Sequence, residues 1–295
     1  MLSPKNCAQA LATAQALGLD RLDAHLLLLH ALGKPGSARA WLLTHDTEVL
    51  TQDVAQRFQA LSQRRAGGEP LAYLVGNKEF FGLALQVDAR VLVPRPDTET
   101  LVQWALDVLK LPSQPTTPKV LDLGTGSGAI ALAIAYTLLA EKRPADVIAV
   151  DASDDALNVA RRNSEILQLS QSLQFIKSNW FEKVSGKFCL IVSNPPYITN
   201  TDPHLEALVH EPITALTAGA DGLDDIRQII EQAPPHLESG GWLLLEHGYS
   251  QATAVQKLLV QRGFTQVQGQ LDLSGITRCS GGQWNDAAPR LGTLI

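Results

Sequence analysis

The sequence predicts an α/β protein: a small all-helical domain, then a β-hairpin linker, then a parallel-sheet domain. Three observations lead to this. Apolar residues recur at helical spacing through residues 1–74. Apolar residues in period two follow between Tyr73 and Pro94. From Lys119 onward, short apolar strands alternate with helical stretches, the mark of a parallel sheet. The expected domains are residues 1–74, 75–96 and 97–295.

In the first domain Ala and Leu recur from Ala8 to Leu17, and Gly18 stops that helix. Asp20 caps the next, whose run Arg21–Leu32 is apolar on most faces and reads as the central helix of a bundle. Gly33-Lys34-Pro35-Gly36 is a turn. Further helices are expected at Ala38–Leu43 and Thr51–Ala66, the latter capped by Thr51. Arg64 and Arg65 suit the negative end of that helix dipole. In the hairpin, Phe80 to Val87 and Val91-Leu92-Val93 are the two arms, with Asp88-Ala89-Arg90 as the turn between them. Pro94 and Pro96 end it, because each removes a backbone donor.

Asp97 can cap a helix reaching about Lys110, and the segment 111–118, with three prolines, is a loop. Strands follow at Val120–Leu123, Val147–Val150, Leu173–Ile176, Cys189–Ser193, Trp242–Glu246 and Thr265–Gln268. Helices are expected at Ala129–Leu139, Asp154–Leu169, Leu223–Pro234 and Ser250–Arg262.

Bulk properties narrow the function classes. A length of 295 residues fits two domains at roughly 150 residues each. The formal charge of −6 runs against a chain whose main substrate is a nucleic-acid duplex, which usually needs a basic face. Cys7, Cys189 and Cys279 are far apart with no CxxC pair, so reduced thiols are expected and no metal site. The N-terminus lacks the basic, apolar and cleavage regions of an export signal. The run Leu26–Leu29 is far short of the about 20 residues that span a membrane. A soluble, cytoplasmic protein is the expectation, with no membrane partner.

Gly124-Thr125-Gly126-Ser127-Gly128 follows a strand and opens a helix, where glycines allow a tight turn and close approach of a ligand. The spacing is neither the dinucleotide GxGxxG nor a Walker loop. Asp151 ends the next strand, roughly 20 residues on, where an acid meets ribose hydroxyls. Asp151 could also cap the helix that starts near Ser153. Together the loop and the acid point to a nucleoside-bearing cofactor. Asp122, just before the loop, suits the amino group and sulfonium of a cationic donor and would repel a pyrophosphate. That favours S-adenosylmethionine over a nicotinamide dinucleotide.

Asn194-Pro195-Pro196-Tyr197 follows another strand, at the same sheet edge. Two prolines fix the backbone, so its carbonyls have set directions. An amide-like nitrogen is a poor nucleophile because its lone pair is delocalised. The Asn194 side-chain oxygen and the Pro195 carbonyl can accept its two N–H groups, and Tyr197 offers a flat wall. The expected chemistry is methyl transfer by positioning, without a dedicated general base. These residues alone leave open a protein amide or an adenine amino group as the acceptor.

Several longer stretches carry a resemblance. These are Gly67-Gly68-Glu69-Pro70-Leu71-Ala72-Tyr73-Leu74, Glu79-Phe80-Phe81-Gly82-Leu83, Val93-Pro94-Arg95-Pro96-Asp97-Thr98-Glu99, Trp180-Phe181, Asp202-Pro203-His204-Leu205, Glu211-Pro212 and Glu246-His247-Gly248. With the glycine loop and Asn194–Tyr197, the chain over roughly residues 60–275 resembles the bacterial peptide chain release factor glutamine methyltransferases. The resemblance implies a Rossmann-like seven-stranded class I methyltransferase domain behind the helical domain and hairpin. It implies transfer of a methyl from S-adenosylmethionine to the glutamine amide of a release factor's Gly-Gly-Gln loop, with S-adenosylhomocysteine as product. On that basis Gly124, Thr125, Gly126, Ser127, Gly128, Asp151, Trp180 and Asn194 bind the donor. Asn194, Pro195 and Tyr197 are catalytic, and with Pro196 and Arg95 they hold the glutamine. The helical domain would grip another part of the release factor, with no direct nucleic-acid contact.

A glutamine methyltransferase of a ribosomal protein, a DNA or RNA adenine methyltransferase, a nicotinamide oxidoreductase and a binding module are the competing readings. Three features depart from the family pattern or stand outside it. Asn179 occupies a position where the family commonly has an acid. The stretch from Leu205 to Glu211 is short and lacks an arginine. Gly281-Gly282-Gln283 copies the substrate motif and reads as a glycine-rich turn.

Overall fold

The computed structural model describes residues 4–286, so residues 1–3 and 287–295 of the expected outer domains lie outside it. The chain forms two compact units, Met1–Asn77 and Lys78–Ile295.

The first unit is helical: α1 (Cys7–Ala16), α2 (Arg21–Ala31), α3 (Arg39–Thr44), α4 (Gln52–Ala66) and α5 (Leu71–Val75). Caps set the starts. Asn6, Asp20 and Thr51 each accept a backbone N–H three residues on. Leu27, Leu28 and Leu29 of α2 are wholly buried against Ala10, Ala14, Phe58 and Leu61, as expected of a central helix. Arg65 donates to Asp23 and Arg64 to Glu69, so both arginines close contacts inside this unit.

The hairpin is β1 (Asn77–Phe80) and β2 (Leu83–Gln86). This corrects the expected turn. Phe81 and Gly82 both have positive φ, 49° and 77°, as the tightest two-residue hairpin turns require. Glu79 Oε1 accepts the Gly82 N–H at 2.7 Å and Glu99 Oε1 accepts the Phe81 N–H at 3.0 Å. Val91-Leu92-Val93 is not a strand. Its Val93 N–H goes to the Glu211 carboxylate at 3.0 Å rather than to a neighbouring strand.

The second unit continues with α6 (Glu99–Leu109), β3 (Lys119–Leu123), α7 (Ala129–Ala140), β4 (Asp146–Asp151), α8 (Asp154–Ile166), β5 (Leu173–Lys177) and β6 (Phe188–Ser193). It closes with α9 (Asp224–Gln232), β7 (Leu237–Glu246), α10 (Ala252–Arg262), β8 (Thr265–Leu271) and β9 (Thr277–Gln283). The seven-stranded sheet runs β5-β4-β3-β6-β7-β9-β8, parallel except for β9 against its two neighbours. Strands bury both faces by alternation. Val120, Leu190, Val192, Trp242 and Leu244 pack with α6 and α7 on one face. Leu121, Leu123, Ile191, Leu243 and Leu245 pack with α9 and α10 on the other. Among the described residues no helix is long and apolar enough to cross a membrane.

The strand β9 was not expected where Gly281-Gly282-Gln283 reads as a turn. Gly281 pairs with Leu244 in a central position, and a Cβ there would lie 2.6 Å from the Leu243 carbonyl oxygen and 2.8 Å from Trp104. Close packing explains the glycine. The Gln283 amide donates to the Gly240 carbonyl at 3.0 Å.

Candidate active site

Register brings the site together. Leu123 pairs with Val150 on one side and with Ser193 on the other, and Ser193 pairs with Leu245. The next residues, Gly124, Asp151, Asn194 and Glu246, therefore leave four neighbouring strands at one level. This is the carboxyl edge of the parallel strands, where open α/β sheets bind ligands. The Ser193 hydroxyl clips β6 to β3 by donating to the Leu123 carbonyl at 2.7 Å.

The glycine loop turns at Gly124, Gly126 and Gly128, all with positive φ. At Gly128 a Cβ would meet Leu132 at 2.9 Å and Ala160 at 3.2 Å, so the start of α7 has no room for a side chain. Thr125 and Ser127 are buried. The Thr125 hydroxyl donates to Asp122 Oδ2 at 2.6 Å, and the Ser127 carbonyl accepts from Asn163 at 2.9 Å. Asn163, on α8, also bonds the Gln86 backbone at both its N–H and its carbonyl, which ties the hairpin to the loop. The sequence reading missed it; a polar residue on the buried face of an amphipathic helix was the available signal.

Asp122 departs from expectation. Its side chain is fully buried, and Oδ2 accepts from Thr125 and from the Ala131 N–H. Burial pushes its carboxyl up to about 7. It braces the loop from below and does not line the cavity described next.

A cavity of about 330 Å³ opens above the loop, lined by Gly124, Gly126, Asp151, Asn179, Trp180, Asn194 and Asp225 among others. Asp151 receives the Gly126 N–H on Oδ2 and the Ser153 N–H on Oδ1, both at 2.9 Å. Ser153 is itself the cap of α8, accepting from Ala156. Burial raises the Asp151 carboxyl, against these bonds. Trp180 has φ 45°, unusual for a bulky residue, and its indole N–H donates to Asp225 at 3.2 Å. Its ring lies where a Cβ on Gly124 would come within 3.4 Å. The Asn179 amide donates to Glu182 at 2.9 Å. Thr125, Ser127 and Gly128 are not in the cavity wall and act by shaping the loop.

A second cavity of about 360 Å³ adjoins, lined by Leu92, Arg95, Asn194, Tyr197, Ile198, Leu208, Ala215 and Leu216. Leu92, Asn194 and Ala215 line both cavities. The Asn194 amide donates to the Thr98 hydroxyl at 3.2 Å. Tyr197 donates its hydroxyl to Glu246 Oε1 at 3.3 Å, and its carbonyl accepts from Gln251 at 3.0 Å. The Gln251 Oε1 accepts the Gly248 N–H at 2.8 Å, so one side chain ties this loop to the end of β7. Burial pushes Glu246 up to about 7, while the Thr98 and Tyr197 hydroxyls favour its charged form. Oε2 of Glu246 has no partner of ordinary hydrogen-bond geometry. Arg95 is paired with buried Glu211 at 2.5 Å, which binds the segment 199–222 to the chain before α6. Thr98, Glu246 and Gln251 received no role from sequence. Thr98 and Glu246 lie in segments that carried the family resemblance, which was the signal at hand.

Comparison with known proteins fits this architecture. Residues 5–76 match the PrmC N-terminal domain family and residues 104–268 the methyltransferase small domain family. The chain is 48% identical over 268 residues to the release factor glutamine methyltransferase of Pseudomonas aeruginosa, covering 90% of this chain and 92% of that one. It is 47% identical over 264 residues to that of Yersinia pestis, covering 89% and 91%. For Escherichia coli the values are 43% over 263 residues, 88% and 91%. Among solved structures, the hMettl16 catalytic domain in complex with MAT2A 3'UTR hairpin 6 aligns with a TM-score of 0.56 at 21% identity, covering 78% of this chain and 84% of that one, a likeness of fold. Identity of 43–48% across about nine-tenths of both partners, with a matching helical domain ahead of the methyltransferase domain, means that the chain belongs to the release factor glutamine methyltransferase family.

Proposed function

We propose that the protein transfers a methyl group from S-adenosylmethionine to the side-chain amide nitrogen of the glutamine in a release factor's Gly-Gly-Gln loop. The observation that carries the site assignment is the meeting of two cavities at Asn194. The names of relatives that match nearly the whole chain support the choice of acceptor.

The first cavity suits the donor. Its volume of about 330 Å³ lies in the range of small-ligand sites. Gly124 and Gly126 leave backbone bare at its floor, and Asp151 and Asp225 give it the sign that a sulfonium cation needs. Asp151, already set by two backbone N–H groups, holds the ribose. Trp180 and Asn179 flank the adenine. Bound there, S-adenosylmethionine supplies an electrophilic methyl group, and S-adenosylhomocysteine is the product.

The second cavity receives the glutamine. Asn194 Oδ1 and the Pro195 carbonyl accept the two amide N–H groups and Tyr197 walls the amide plane, while Pro196 stands in the wall of the first cavity. This holds the nitrogen in line with the methyl carbon, which is where effective molarity comes from. A new N–C bond forms as the S–C bond breaks, and one amide proton then leaves to solvent. Arg95, held by Glu211, borders the entry. The helical unit provides a further contact for the release factor.

The test is methyl incorporation from labelled donor into a release factor, its Gln→Ala loop mutant, a ribosomal protein and DNA. Label is expected in the release factor alone, and lost in its loop mutant. Incorporation into DNA and none into the release factor would sink the proposal.

A further inference from the structure

Two irregular stretches, 91–95 and 208–216, form one side of the place where the two cavities meet. Leu92 of the first and Ala215 of the second line both cavities. Neither stretch contains a strand, so no sheet ladder fixes the distance between them.

One side chain does. Glu211 is 7% exposed, and each of its carboxylate oxygens meets a donor on the opposite stretch. Oε2 accepts the Val93 N–H at 3.0 Å, and Oε1 accepts from the Arg95 guanidinium at 2.5 Å. Val93 adjoins Leu92 in the cavity wall. On its own side, the Glu211 N–H donates to the Leu208 carbonyl and the Ala215 N–H to the Pro212 carbonyl, both at 2.9 Å. The carboxylate is therefore tied by short backbone turns to Leu208 and Ala215. The same stretch also reaches the proposed catalytic loop. The Leu216 carbonyl accepts the Tyr197 and Ile198 N–H groups at 3.2 and 2.9 Å. Glu211 thus joins the 91–95 wall to the segment that carries Asn194–Tyr197.

We propose that Glu211 is a positioning residue for methyl transfer: its two oxygens set the spacing of Leu92 and Ala215, and so the opening through which the acceptor nitrogen meets the donor methyl. This rests on the reading of the two cavities as donor and acceptor sites. The residue type matters. Both partners are donors, and a carboxylate accepts at both oxygens, whereas an amide accepts at one end only.

Glu211→Gln keeps the shape and loses one of the two bonds. Its expected effect is a fall in kcat of about 10- to 100-fold, the scale of a slightly misplaced reacting group. Donor Kd by calorimetry should stay close to wild type, because Gly124, Gly126 and Asp151 stand on other elements. Amide hydrogen exchange should quicken in 91–95 and 208–216 and not in β3 or β6. If Glu211→Gln does not accumulate folded, Glu211→Asp, whose shorter stem weakens both bonds, makes the same test with the same expected split. Wild-type kcat in either folded variant, beside an inactive Asn194→Ala, would overturn the Glu211 role and leave the site reading intact. A rise in KM for the release factor with kcat unchanged would overturn it too, confining Glu211 to holding Arg95 at the entry. Donor affinity lost in step with kcat, or faster exchange throughout the sheet, would reduce Glu211 to packing. An active Asn194→Ala would remove both the site reading and this proposal.

Discussion

Asp151 and Asn194 divide the proposed chemistry between them, and their surroundings bear on how. Asp151 spends both oxygens on backbone N–H groups of the glycine loop and of the start of α8, yet it remains in the cavity wall. Asn194 is the side chain common to both cavities whose polar atoms serve the proposed chemistry. Asp151→Ala is therefore expected to weaken donor binding by about tenfold or more, since a hydrogen bond to a charged group is worth about 1.5–3 kcal/mol. Asn194→Ala should leave that affinity near wild type while abolishing transfer. Isothermal titration with S-adenosylmethionine, run beside the transfer assay, separates the two; equal donor affinity in wild type and Asp151→Ala would dismiss the ribose role. Sequence spacing singled out both residues, and the fold puts both in the wall of one cavity. The Thr98 and Glu246 contacts were not readable, because a residue 96 positions away from Asn194 reaches it only through the fold.

At the level of elements, two outcomes turned on backbone geometry. The hairpin turned at Phe81-Gly82, ahead of the expected Asp88–Arg90, because positive φ at two successive residues makes the tighter reversal. The glycine pair 281–282 became a strand because β9 passes close to β7 and Trp104. The consequences of filling these two positions should differ in degree. Gly281→Ala forces a Cβ within 2.6 Å of the Leu243 carbonyl oxygen, whereas at Gly282 the nearest atom, Phe264 Cβ, is 3.0 Å away. Gly281→Ala should cost about 1–3 kcal/mol by overpacking, with a smaller cost for Gly282→Ala. Urea unfolding midpoints measure both, and a Gly281→Ala protein as stable as wild type would contradict this packing account. Helix starts were more readable where a cap acts on its own near neighbours, as Asp20 and Thr51 do, although Asp97 lies inside a short turn ahead of α6 and Ser153, not Asp151, caps α8.

Across the whole molecule, buried acids link stability to pH. Glu246 is nearly inaccessible and its carboxyl is raised from an ordinary 4.5 to about 7. The folded state therefore binds its proton more tightly than the unfolded chain does. That contribution to stability is fully present below pH 4.5 and is lost as pH rises through about 7. Buried neutral histidines such as His247, whose pKa burial lowers, act in the opposite direction below their ordinary value. The Glu246 part is isolated by comparing wild type with Glu246→Gln. From pH 8 to pH 5 the wild type should gain on the variant by a few kcal/mol, since each tenfold difference in proton affinity is worth about 1.4 kcal/mol. Parallel pH curves for the two proteins would contradict it. The sequence by itself determined the alternation of strands and helices, the helical start, the glycine loop, Asp151 and the Asn194–Tyr197 loop, because those signals are periodic or local. Only the tertiary structure decided that Gly124, Asp151, Asn194 and Glu246 stand on one level, that Asp122 turns inward as a brace, and that Thr98 faces Asn194. Strand register and burial set these, and both depend on residues far apart along the chain.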